Sequence, residues 1–180
     1  PEEGTANRRI PVPRGRLLGG SSSINGLVFV RGQPLDYDTW GQLGNRGWSF
    51  DDVLPFFQKM EHYEHGEDDL RSQGGPLRVS KATDEGPLYD AIKAASKELG
   101  IPHNPDYNGK SQEGIVRTQT TISNGVRMST ARCYLNPVKN RPNLRIETNA
   151  HVQKLLFEEK KCSGVHFRKN GQDRFVHARK

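Results

Sequence analysis

The 180-residue sequence predicts a fold of mixed helices and strands, and three observations carry that expectation. Apolar residues at helical spacing, Leu88, Ala91, Ile92, Ala95 and Leu99, follow Pro87 and stop at Gly100. The last third instead alternates in short segments, LRIET, HVQKLLFEE, CSGVHFR and DRFVHARK, which reads as a β-meander. The 19 glycines and 11 prolines call for many turns between these elements.

Taken in order, the chain first runs through GGSSS (19–23), where consecutive glycines rule out ordinary helix. Ile24–Val30 is rich in strand-forming residues and is expected to leave through a turn at Gly32–Pro34. Ser49 and Asp52 have the spacing of a capping box, predicting a helix through Met60 that Pro55 divides into two short turns. EHYEHGEDDLRSQGGP (61–76) reads as polar loop. The helix from Pro87 follows, with an apolar face that requires a partner. A further helix is capped by Ser129 and ended by Pro137. In the C-terminal meander, Asn170-Gly171 suits a tight hairpin turn.

Composition excludes several functional classes. No apolar run approaches the roughly 18 residues of a membrane span, and no basic-then-apolar leader opens the chain. The net charge of +6 is dispersed among acids from Arg8 to Lys180 rather than gathered into a stripe with aromatics. The dispersed charge reads as a solvated surface, so nucleic acid is not expected as a partner, and anionic ligands stay open. Cys133 and Cys162 lack metal-ligand spacing and imply no disulfide framework, so no metal is expected and a reducing, cytoplasmic setting is. Both ends, PEEGTANRRIPVPRG and DRFVHARK, look like cuts, and an internal piece of a longer protein is expected.

The glycine-serine stretch is the strongest candidate for chemistry. Amides of such a turn can point at phosphate oxygens, and glycines let backbone approach a ligand closely. The competing reading is a flexible connector. A connector has no reason to run straight into Ile24, Leu27, Val28, Phe29 and Val30.

The run GRLLGGSSSINGLVFVRGQPLDYDTW resembles the first signature of the glucose-methanol-choline (GMC) family of flavin oxidoreductases. It matches in the order Gly15, Arg16, Gly19, Gly20, Ser21, Ser22, Asn25, Arg31-Gly32 and Asp36. The likeness continues through WSFDDVLPFFQKME, GGPLRVS, DYNGKSQEGI, NGVRMSTARCYLNP and RPNLRIETNAHVQKLLFE, covering nearly the whole chain. Within the family it is most similar to choline dehydrogenases and alcohol dehydrogenases with non-nicotinamide acceptors.

The resemblance implies part of an FAD-binding domain with a Rossmann-like sheet and β-meander, plus part of a substrate domain. Residues 1–60 carry the signature, 61–125 belong to the substrate domain or cap, and 126–180 return to the FAD-binding domain. Arg16, Gly19, Gly20, Ser21 and Ser22 are similar to residues along the diphosphate and ribityl chain, and Asn25, Gly26 and Val28 to those near the flavin. Val152 is similar to a residue whose backbone meets the adenine. Some relatives carry a flavin-tethering His where this chain has Ile24, so non-covalent FAD is implied.

Other departures limit the transfer. Arg71-Ser72-Gln73 replaces a segment often rich in His and Gly. The family's Gly-x-Gly-x-x-Gly fingerprint and its catalytic His with a His or Asn partner are expected outside these residues, so no catalytic residue is assigned here. His62, His65, His103 and His151 read as surface residues rather than bases. Asp36, Asp38, Asp106 and Glu113 read as turn or cap residues, Arg127 as structural with a flavin-adjacent alternative, and Trp40 and Trp48 as packing anchors. The implied activity is oxidation of choline or an aliphatic primary alcohol to the aldehyde, by hydride transfer to flavin N5. Quinone, an electron carrier or oxygen would serve as acceptor, and the parent protein can be peripherally membrane-associated. A non-redox relative resembling hydroxynitrile lyases, or an inactive piece, is the alternative. The 180 residues alone are expected to hold FAD weakly and to be inactive.

Overall fold

The computed structural model describes residues 3–83 and 86–178. The chain forms two compact units, one ending at Pro137 and the other beginning at Val138. Helices and strands are mixed, as expected.

In the first unit a 3-10 turn, Gly20–Ser23, precedes two packed helices, α1 (Pro34–Gln42) and α2 (Phe50–Met60). Helix α1 is a correction to the expected turn. Pro34 sits in its first turn, and Gln33 and Asp36 cap each other reciprocally, with Gln33 N donating to Asp36 at 2.8 Å. The Ser49–Asp52 capping box starts α2 as expected. Pro55 does not divide it: the ring occupies one place in a continuous helix and stays on the exposed side. Tyr37 joins the helices by edge contact with Trp40 and Phe57 at 5.5 and 5.7 Å between centroids, and Trp40 meets Trp48 at 5.8 Å. The tryptophans are packing anchors.

Strand β1 (Glu61–Tyr63) runs parallel to β2 (Leu77–Lys81), which pairs antiparallel with β3 (Gln119–Thr120). Thus the stretch read as polar loop contains a strand with both ends buried. The core gathers Phe29, Tyr63, Leu77, Val79 and Cys133, with Met60 and Met128 against it. Helix α3 (Pro87–Glu98) forms as expected, but its apolar stripe faces out: Leu88 and Leu99 are 74% and 76% exposed. Ser96 is buried instead, and Tyr89 lies under the Arg117 guanidinium at 4.6 Å. Strands β4 (Ile122–Ser123) and β5 (Val126–Arg127) form a hairpin through Asn124 and Gly125, at φ 49° and 70°. The expected helix after Ser129 is one π-helical turn, Ala131–Leu135.

Burial pushes the Tyr63 phenol up to about 12, with the Asp106 carboxylate acting the same way. The fold thus holds that proton more tightly than the unfolded chain. Its contribution to stability is complete below about pH 10 and is lost as pH rises through 10 towards 12. Urea unfolding of wild type is expected to show an extra decline in that window, which Tyr63→Phe removes.

The second unit is an antiparallel meander of β6 (His151–Glu158), β7 (Lys161–Lys169) and β8 (Gln172–His177). Asn170 and Gly171 turn the last hairpin at φ 51° and 77°, the double left-handed geometry that this pair favours. LRIET is not a strand. Its Glu147 is held by Arg145 at 2.6 Å and by Lys169, which keep its carboxyl below the usual range.

Candidate functional site

The glycine-serine turn is fastened by hydrogen bonds. Gly15 N donates to Ser21 Oγ at 3.1 Å, and Ser23 Oγ to Leu18 O at 3.0 Å. Ser22 Oγ donates to Gly19 O at 2.5 Å and accepts from Thr130 N at 2.9 Å. Two of the glycines are required by the turn itself. A Cβ on Gly15 would overlap the Gly20 carbonyl, and one on Gly19, at φ 91°, would meet Ser23 Oγ and Ala131.

Arg127 is the second fastening. Its Nη1 donates to Ser22 O at 3.3 Å, Asn25 O at 2.8 Å and Asn25 Oδ1 at 2.7 Å. The Asn124-Gly125 hairpin delivers it there, by setting Arg127 opposite Ile122. Asn-Gly was the readable signal for this placement. The structural reading of Arg127 stands.

Other positions of the turn are open. Local backbone and the adjacent residues apart, no described atom lies within 4 Å of where a side chain would start at Gly20 or Gly26. Ile24 and Val28 are 49% and 57% exposed. Arg16 is exposed too, and its guanidinium has no hydrogen-bond partner among the described residues. Arg16, Gly19, Gly20, Ser21, Ser22, Asn25, Gly26 and Val28 therefore share one local structure. Val152 lies in the second unit, on β6, an edge strand whose pairing shifts register just after it.

Residues 28–31 form no regular strand and carry one bridge, Val28–Thr120. Leu27, at φ 69°, breaks the expected strand where it leaves the turn. Thereafter alternate residues face opposite ways. Phe29 and Arg31 are buried, while Val28 and Val30 point outward. The backbone of Phe29 is fully engaged: N donates to Gln119 O at 2.9 Å, and O accepts from Tyr107 Oη at 2.8 Å and Asn108 Nδ2 at 3.2 Å.

Beneath this segment lies a buried charge cluster that sequence reading missed. Glu61 accepts from Arg31 Nη2 at 2.5 Å and from Arg71 through two nitrogens. Arg71 Nη1 also donates to Asp106 at 2.7 Å and Gln119 Oε1 at 3.0 Å, and its guanidinium lies 3.7 Å from the Tyr63 ring centre. Two cations balance two anions. Desolvation lowers the Arg31 pKa against the pull of Glu61. For Arg71 desolvation acts downward too, but hydrogen bonds and charge from Glu61 and Asp106 outweigh it and leave the pKa raised.

The remaining candidates are structural. Asp36 caps α1, and Asp38 accepts from Phe50 N at 2.9 Å. Glu113 lends its carbonyl to Asn104 Nδ2 at 3.0 Å. His62 Nδ1 accepts from Gly74 N at 2.9 Å, and His65, His103 and His151 are exposed. A cavity of about 550 Å³, lined by His62, Arg78 and Lys81 among others, shares no residue with the glycine-serine turn. Among the described residues no group of His, Cys, Asp and Glu is arranged to hold a metal, both cysteines are free, and no helix is long and apolar enough to cross a membrane.

Comparison with known proteins matches a family model, described as GMC oxidoreductase, to residues 3–180. An oxygen-dependent choline dehydrogenase of Sinorhizobium fredii is 43% identical over 178 residues, 99% of this chain and 32% of that protein. One from Vibrio vulnificus is 43% identical over 174 residues, 96% of this chain and 31% of that protein. Among solved structures, an FAD-dependent oxidoreductase from Chaetomium thermophilum superposes with a TM-score of 0.84 at 30% identity, over 97% of this chain and 33% of that one. Pyridoxine 4-oxidase from Mesorbium loti gives 0.80 at 32% identity, over 91% and 33%. The chain spans about a third of the length of these relatives.

Proposed function

The chain belongs to the GMC oxidoreductase family, and from that premise we propose that it supplies the backbone cradle for FAD in an enzyme oxidising choline or an aliphatic primary alcohol to the aldehyde. The observation that carries this reading is the turn at residues 15–26, fastened by Thr130 and Arg127 and open at Gly20 and Gly26. An extended anionic cofactor suits such a surface, because backbone can approach it without side-chain interference.

The residues fit that group. Arg16, Gly19, Gly20, Ser21 and Ser22 would lie along the diphosphate and ribityl chain, with the unpaired Arg16 guanidinium as counter-charge. Asn25, Gly26 and Val28 would lie near the ring, and the backbone of Val152, beside an unpaired strand edge, would meet the adenine. Ile24 offers no nucleophilic or metal-ligating atom, so the cofactor is held without a covalent bond. When bound, FAD supplies the hydride acceptor at N5. This chain positions and shields. Val28 and Val30 present apolar surface that excludes water, and Arg127 fixes the Ser22–Asn25 carbonyls so that the turn needs no reorganisation on binding. In this reading residues 1–60 and 126–180 serve the cofactor, residues 61–125 the substrate side, and the proton-accepting base lies outside these 180 residues. The electron acceptor is an electron carrier, quinone or oxygen.

Anaerobic addition of choline, and separately of a primary alcohol, to the full-length protein is expected to bleach its flavin absorbance. An unchanged spectrum with both would contradict the proposed activity. Arg127→Gln is expected to weaken FAD binding about tenfold, the scale of hydrogen bonds to a charged donor at a half-exposed site, with little change in far-ultraviolet circular dichroism. Titration of the apoprotein by flavin fluorescence checks this.

A further inference from the structure

The register of residues 27–31 poses a problem that hydrophobicity cannot solve. Leu27, Val28, Phe29 and Val30 are all apolar, so a slip by one residue would exchange the inward and outward sets at little apolar cost. Arg31 is what distinguishes the two registers. In the observed one it is 5% exposed, with Nη2 on Glu61 at 2.5 Å and Nη1 on Leu70 O at 2.5 Å. Its own backbone is also held, N donating to Asn108 Oδ1 at 2.7 Å and O accepting from Gln112 Nε2 at 2.8 Å. Its partner cannot follow a slip. Glu61 is fully buried, paired in β1 with Leu77, its carbonyl bonded to Gly75 N at 2.9 Å.

We propose that Arg31 and Glu61 form a register lock: the pair selects which side chains of residues 27–31 face outward and is thereby a positioning pair for the cofactor side. The second clause rests on the FAD-binding reading; the first does not. Arg31 Nε is buried with no hydrogen-bond partner among the described residues, and fixing register is the best-attested use of a buried charge.

The test is the double variant Arg31→Met/Glu61→Gln in the full-length protein. It keeps side-chain volume, leaves Arg71 balanced by Asp106 and preserves an acceptor for Arg71 at position 61. Amide exchange at Phe29 is expected to accelerate about tenfold or more, and the visible circular dichroism and affinity of bound FAD to change with it. Wild-type exchange at Phe29 would overturn the lock. Faster exchange with unchanged FAD affinity and spectrum would overturn the positioning role. If the double variant does not fold, Arg31→Lys serves, because a lysine cannot reach Glu61 and Leu70 O together. Wild-type exchange in that variant overturns the lock equally. A wild-type protein that binds no FAD sinks the functional reading, while the exchange measurement still decides the lock.

Discussion

Replacing Arg71 with Met is expected to destabilise the protein by about 3–5 kcal/mol, the cost of removing one partner from a buried ionic cluster. Arg71 is the hub. Its side chain is 1% exposed and serves Glu61, which is fully buried, and Asp106, which is 18% exposed. Without it Glu61 keeps only Arg31, and Asp106 keeps the side chain of Gln119 and the amide of Asn108. Two carboxylates, one fully buried and one partly exposed, would then face one guanidinium. A shift of the urea midpoint with an unchanged slope measures the loss. Arg71→Lys recovers only part of it, since an ammonium cannot address Glu61, Asp106 and Gln119 in one plane.

Substituting Gly15 with Ala is expected to weaken FAD binding by roughly ten- to a hundredfold, from an overpacking cost of about 1–3 kcal/mol. The added Cβ falls on Gly20 O, Gly20 C and Ser21 N. All are backbone, so relief requires moving the turn itself. Gly26→Val is the informative contrast. Its chain neighbours apart, no described atom lies within 4 Å of that position, so the fold should tolerate the side chain while cofactor affinity falls. Titration of apoprotein with FAD, alongside thermal unfolding of both variants, separates the two effects.

The helices and the meander were largely legible because their signals are local. Ser49 with Asp52, Pro87 before an apolar run, and Asn170-Gly171 each act through neighbouring backbone, and each appears where expected. The failures have physical causes. Helix α1 begins with a Gln at its cap, and Gln33 is a weaker start signal than Ser or Asp. Strand β1 was hidden because Glu61 and Arg71 read as solvated charges, although each neutralises the other across ten residues of chain. The α3 stripe faces outward because Tyr89 and Ser96, not the leucines, form the inner contacts. At the candidate site the glycines and serines were readable as a motif, whereas Thr130 lies 108 residues from its partner Ser22 and Asp106 lies 35 residues from its partner Arg71. Only the folded chain brings them together.

The most direct test of the cofactor cradle is the visible spectrum of the full-length protein after desalting, followed by acid denaturation and filtration. The expected result is a flavin spectrum that passes wholly into the filtrate as FAD. A protein without flavin that cannot be reconstituted with FAD, or one whose flavin stays bound to the denatured chain, would contradict it.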